Sequence, residues 1–206
     1  MGIFGNLFSK QACEICKKEV GALSRTKLKD KTYICNDCRK NTSILFEPHL
    51  NDLEETKKHL AHMEEMDQLY KEKVEPLSDK EIDFCGHHGS YKIGFVDSIK
   101  MFFIITPQTK KKNKKELFAY DEIESFGPYE NLNDGSHEGQ KRIEECGVAI
   151  KMRAYRMPIK IPIAKNVDTP LGGERILEHL NAATGGKHSS MIGAAGAVAS
   201  TILNNI

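Results

Sequence analysis

The sequence predicts an α+β protein: a small metal-stapled finger, a helical connector, and a curved antiparallel sheet capped by a C-terminal helix. Cys13-Glu-Ile-Cys16 and Cys35-Asn-Asp-Cys38 form two Cys-x-x-Cys pairs with eighteen residues between them. Residues 49–73 hold neither Gly nor Pro and are rich in strong helix formers. From about residue 80, short apolar segments alternate with turn residues, and one helical pattern closes the run. The expected divisions are a finger over 1–42, a connector over 43–79, an α+β domain over 80–186 and an apolar Gly/Ala-rich tail over 187–206.

The cysteine spacing lies in the range of a structural four-cysteine zinc site, with Cys13, Cys16, Cys35 and Cys38 as ligands to one Zn2+. Two residues between cysteines let a tight knuckle aim both sulfurs at one metal. Gly21 and the Lys29-Asp30-Lys31 stretch supply the turns that return the chain, and Tyr33-Ile34 ends a short hairpin. A helix beginning after Cys38 makes the unit treble-clef-like. The segment 10–42 offers only Ile15, Val20, Leu23, Leu28, Tyr33 and Ile34 as large apolar side chains, too few to fold such a piece alone. A structural zinc supplies about 10–16 kcal/mol of apparent binding energy, enough to decide its folding. An iron–sulfur centre is compatible with the spacing, whereas a thioredoxin-like pair expects one Cys-x-x-Cys rather than two. Four thiolate ligands leave no open position for catalysis.

Charge excludes a global pull toward polyanions. The 206 residues carry 30 basic and 29 acidic side chains, a formal net charge of +1. Between Lys10 and Lys40 there are nine basic and four acidic residues, and four thiolates around Zn2+ leave about +3 of that local excess. With no secretory pattern at the opening Met-Gly-Ile-Phe-Gly-Asn-Leu-Phe, a cytoplasmic location is expected.

On the helix of 49–73, Leu53, Leu60, Met63 and Tyr70 form a stripe suited to packing against the next domain or a second copy. His49, His59 and His62 are read as solvated. Farther on, residues 91–96 and 99–105 flank Asp97-Ser98 as a hairpin, and 117–120 and 123–129 are two short strands around Asp121-Glu122. Residues 130–146 are expected to be a long loop, 147–153 and 157–163 a further hairpin. A helix starts near 171 and ends at Gly185-Gly186.

The opening Met-Gly-Ile-Phe-Gly, the segment Cys13-Glu-Ile-Cys16-Lys-Lys-Glu-Val-Gly21 and Tyr33-Ile-Cys35-Asn-Asp-Cys38 resemble a family of uncharacterised bacterial and phage proteins that begin with a four-cysteine zinc domain. Residues 80–184 are similar in pattern to the pleckstrin-homology-like (PH-like) modules that follow such fingers, notably at Phe118-Ala-Tyr-Asp-Glu-Ile123-Glu-Ser and the final hairpin and helix. The resemblance implies a PH-like fold and four cysteine ligands, and it implies no catalytic reaction.

Other chemistry is thinner. Cys85-Gly-His87-His88 with Cys146 lacks a second Cys-x-x-Cys and reads as a loop rather than a second metal site. Leu171-Gly172-Gly173-Glu174 reads as helix entry rather than an anion cradle. The densest charge run is Lys110, Lys111, Lys112, Lys114 and Lys115, a candidate contact for anionic lipid or nucleic-acid phosphate. Residues 189–206 hold no charged side chain and are too Gly/Ala-rich for a membrane span, so they are expected to dock on a partner or on the protein itself. The expected function is non-enzymatic: an interaction or adaptor protein with protein partners. The alternatives are nucleic-acid binding through finger and lysine loop, or peripheral membrane association through that loop and the tail. Self-association is expected through 49–73 or 189–206.

Overall fold

The structure, a computed structural model, describes residues 10–86, 91–133, 142–167 and 173–186. It is mixed α+β and falls into two compact units: residues 1–75 with 108–116, and 76–107 with 117–206. The chain therefore enters the second unit, returns to the first for one segment, and leaves again.

The first unit opens with two short antiparallel pairs. Strand β1 (Gln11–Ala12) pairs β2 (Glu19–Val20), and β3 (Arg25–Lys27) pairs β4 (Tyr33–Cys35). The turn between β3 and β4 is set by Asp30, whose carboxylate accepts the backbone N–H and hydroxyl of Thr32. A one-turn helix α1 (Asn36–Arg39) follows directly. The core here is small: Cys13, Val20, Leu28, Ile34, Cys35 and Cys38, with Ile15 and Leu53 packed against it. Leu23, counted among the few apolar residues of this segment, lies 91% exposed.

Helix α2 (Leu53–Lys73) starts four residues later than the sequence expectation, because Pro48–Leu50 form a separate single turn. Asp52 caps it and Glu55 reaches back to the Asp52 N–H, a complete capping box. Asp30 also accepts the Leu53 N–H, and Lys29 N–H donates to Asn51, so the finger's turn holds the helix start. Expected as a connector, α2 lies in the same unit as the finger. Its buried residues are Thr56, Met63 and Asp67, a face more polar than the apolar stripe suggested.

The second unit contains two antiparallel sheets and a helix. In the four-stranded sheet, β5 (Asp83–Cys85), β6 (Lys92–Val96), β7 (Met101–Ile105) and β8 (Phe118–Ala119) lie in that order. In the three-stranded sheet, β10 (Arg142–Met152) lies between β9 (Ile123–Asn133) and β11 (Ile159–Val167). The hairpin at Asp97-Ser98 is present, its turn closed by Lys100 in the left-handed region. Residues 130–133 and 142–146, expected as loop, are strand instead. They extend β9 and β10, and Ile143 and Cys146 of β10 pack with Ala164 of β11 in a small core that repays the polar neighbours. At Gly147 the β10–β11 register shifts, and a Cβ there would meet the Ile161 carbonyl oxygen at 2.1 Å.

Large buried side chains from both sheets, including Phe95, Phe102, Phe118, Phe126, Ile150 and Ile161, make the core of this unit. Helix α3 (Glu174–Thr184) buries Ile176 and Leu180 and ends at Gly185 in the left-handed conformation, where the glycine pair predicts it. His179 anchors it: its ring stacks on Phe95 at 3.8 Å, and its nitrogens lie 3.1 Å from Asp83 and 3.0 Å from Asp97. Arg175 adds an ion pair to Asp83, and Tyr120 donates to Asp97 at 2.6 Å.

Candidate metal centre

The four cysteines converge. Cys13 leads out of β1, Cys16 lies in the knuckle before β2, Cys35 ends β4 and Cys38 lies on α1. The knuckle is closed by Lys17, whose left-handed backbone lets its N–H reach the Cys13 carbonyl at 2.8 Å. Cys35 is both a member of the sulfur cluster and the cap of α1, its sulfur accepting the Cys38 N–H at 3.3 Å. The Cys13 sulfur likewise accepts the Cys35 N–H at 3.2 Å.

All four sulfurs lie within 4.8 Å of one another. Cys13 Sγ and Cys38 Sγ are 3.7 Å apart, as are Cys16 Sγ and Cys35 Sγ. A regular tetrahedron with metal–sulfur bonds of about 2.3 Å has edges of about 3.8 Å, so the donor set fits a tetrahedrally bound ion such as zinc. Three of the four are buried and Cys16 is exposed.

Electrostatics point the same way. At Cys13 burial pushes the thiol up, but the backbone N–H groups of Cys16, Cys35 and Ile15 outweigh it and bring the pKa down to about 7. Burial pushes the Cys35 and Cys38 thiols up. Four crowded sulfurs cannot all ionise beside one another, and a divalent cation at their centre removes that conflict. The residues able to hold the ion are Cys13, Cys16, Cys35 and Cys38, and among the described residues they form the only such cluster.

The remaining sequence candidates are dispersed. Cys85 is buried in β5 and Cys146 in β10, while His87 and His88 lie outside the described residues. Leu171, Gly172 and the 189–206 tail also lie outside them. No described helix is long and apolar enough to cross a membrane.

His59 departs from the solvated reading. Its ring stacks on Phe46 at 4.5 Å, and its Nε2 accepts the Ser43 backbone N–H at 2.9 Å, which requires a neutral imidazole. Burial, helped by the charges of His62 and Lys112, lowers its pKa to about 4. A ring whose folded pKa lies below its unfolded value of about 6.5 contributes its stability above that value and loses it as pH falls toward 4. About 2 kcal/mol should be gone by about pH 5. Urea unfolding of wild type and His59→Gln across this range checks it. The variant should lose the ring's share of the pH dependence, leaving what carboxylate protonation and acid release of metal contribute.

The lysine run belongs to the first unit. Lys112 Nζ donates to the Arg39 carbonyl at 3.1 Å and to Thr42 Oγ1 at 3.2 Å. Lys114 Nζ pairs with Glu64 at 2.8 Å and lies 3.4 Å from Asp67, and Lys115 N–H donates to Asp67 at 2.8 Å. Asn113 joins the strap to Lys40 and Asn41, and Glu116 accepts the Ser43 hydroxyl. The side chains of Lys110, Lys111 and Lys115 are exposed, whereas those of Lys112 and Lys114 are partly covered. Asp67, 2% exposed, is the residue that sequence reading missed, since an acidic residue within a charged helix carries no local sign of burial.

A family model described as a domain of unknown function, DUF4428, matches residues 11–66. The match covers all four cysteines and runs into α2, the stretch that the Asp30 and Asp52 contacts knit together. No curated protein and no solved structure matches the chain.

Proposed function

We propose that the protein is a non-enzymatic interaction protein, an adaptor in which a zinc-stapled, treble-clef-like finger unit is joined to a PH-like module. The observation that carries this reading is the donor set of the metal centre. Four cysteine sulfurs fill a tetrahedral ion's coordination, leaving no position at which a substrate or an activated water binds. Such an ion organises a surface. The knuckle, the β3–β4 hairpin and α1 bearing the last ligand support the treble-clef description. Four- and three-stranded antiparallel sheets followed by a C-terminal helix support the PH-like one. Leu23, 91% exposed in the single turn Ala22–Ser24, offers an apolar side chain for a protein contact.

Nucleic-acid binding is the rival, favoured by the finger and the lysine strap sharing one unit. A pull-down with the zinc-loaded chain separates the two. The adaptor reading expects one partner protein in stoichiometric amount, resistant to nuclease and diminished by Leu23→Ser. Recovery that disappears with nuclease, or falls steeply with salt, favours the rival.

A further inference from the structure

The finger unit contains a cleft of about 540 Å3 bounded by α1, the 42–48 segment and the 108–112 segment. That volume lies in the range of small-molecule sites, about 300–1,000 Å3. Four cations line it: Arg39, Lys40, Lys111 and Lys112. No acidic side chain is among its lining residues. Lys40 has exposed Asp37 3.8 Å away, and Glu116, bonded to the lining residue Ser43, offsets part of the charge of Lys112, so Arg39 and Lys111 with the remainder of Lys112 set a positive local field. Lys112 is fixed by the Arg39 carbonyl and the Thr42 hydroxyl, and an ammonium with three protons retains one beyond these two bonds. Burial first, then the charge of Arg39, makes its protonated form harder to keep, which an incoming anion would reverse.

The same lining also carries apolar side chains. Ile44, Phe46 and Pro48 supply apolar surface, and Phe46 is held in place by stacking on His59 at an interplanar angle of 10°. Cations and a planar ring lining one cleft suit a ligand with one phosphate and one flat organic body. A nucleic-acid strand calls instead for cations spaced along an open groove. Here they converge on one hollow, and Lys110, the exposed neighbour of Lys111, is outside its lining.

We propose that this cleft is a binding site for a small organic phosphate of the nucleoside monophosphate class, with the phosphate at Arg39, Lys111 and Lys112 and the base against Phe46. The site goes beyond the adaptor reading and does not depend on it.

Calorimetric titration of the full zinc-loaded chain with AMP, adenosine and inorganic phosphate tests it. Saturable AMP binding is expected, with adenosine and phosphate each at least about tenfold weaker. Lys111→Gln removes one charge-assisted contact and should weaken AMP by about tenfold or more. Lys110→Gln should stay within about twofold, because that side chain lies outside the lining. Metal content and thermal unfolding of both variants serve as folding controls. The proposal is overturned by no saturation with AMP at about millimolar concentration, a Kd corresponding to only about −4 kcal/mol. Equal losses in Lys110→Gln and Lys111→Gln overturn it as well, since they indicate diffuse attraction. So does a short single-stranded oligonucleotide, or a phosphatidylserine vesicle, that binds far more tightly than AMP and shows the same Lys111 dependence.

Discussion

Replacing Cys35 with serine is expected to release the metal and unfold the finger, the largest effect any single substitution in this chain should have. Cys35 contributes a sulfur to the cluster, caps α1 through that same sulfur, and donates its N–H to Cys13. A hydroxyl at this position is a poor thiolate substitute and is too short to keep the cap geometry. The finger's own core is six buried residues, three of them cysteines of the cluster, so little apolar packing remains to hold it without an ion. The loss is therefore set by the metal, for which structural zinc sites contribute about 10–16 kcal/mol of apparent binding energy. Elemental analysis should give one zinc per chain for wild type and none for Cys35→Ser. Hydrogen exchange should show amides of β4 and α1 exchanging freely in the variant. Amides of β6 and β9–β11 should keep their protection, because the second unit has its own core of Phe95, Phe102, Phe126 and Ile150. A metal-free chain with protected β4 amides would overturn the assignment.

The metal site was legible because its information is local. Cys-x-x-Cys spacing, Asp30 in its turn and the poverty of apolar residues all lie within thirty residues of chain. The start of α2 was legible too, had the Asp52-x-x-Glu55 capping box been weighed above the mere absence of Gly and Pro. His59 and Asp67 were not. Each sits on a helix among charged neighbours, and its burial is imposed by residues remote in sequence: Ser43 and Phe46 for His59, Lys114 and Lys115 for Asp67. Sequence patterns report which side chains can be solvated, not which are covered.

The sheets show the same division. The turn at Asp97-Ser98 and the glycine stop at Gly185 are local signals and appear where expected. The missing strand lengths, 130–133 and 142–146, are rich in polar residues and read as loop. They are held as strand by pairing on both sides of β10, a non-local ladder that alternation alone does not reveal. Lys110–Lys115 illustrates the cost of judging charge by composition. Two of its five lysines are tied by their ammonium groups to partners more than forty residues away, and a third by its backbone.

Asp67→Ala is expected to free that strap. The carboxylate, 2% exposed, accepts the Lys115 backbone N–H at 2.8 Å and pairs with Lys71 at 2.7 Å and Lys114 at 3.4 Å. Burial pushes its pKa up, but these partners outweigh it and hold the group below the usual carboxylate range. Its contribution is therefore present above about pH 4 and is lost only below that value. Truncation leaves a backbone N–H without its acceptor and Lys114, 20% exposed, with Glu64 alone. Breaking a buried charge in this way costs about 3–5 kcal/mol, and the solvent exposure of Lys71 places the expected loss near the lower end, about 3 kcal/mol. Asp67→Asn keeps an acceptor for the Lys115 N–H and should cost about 1–2 kcal/mol. Denaturant unfolding measures both. Limited trypsin digestion should cut after Lys110 and Lys111 much faster in Asp67→Ala than in wild type, with Asp67→Asn between them. Because Lys111 and Lys112 are carried on the same strap, AMP affinity should fall in that order as well. Stability lost with the strap still protected from trypsin would mean that Asp67 supports α2 alone.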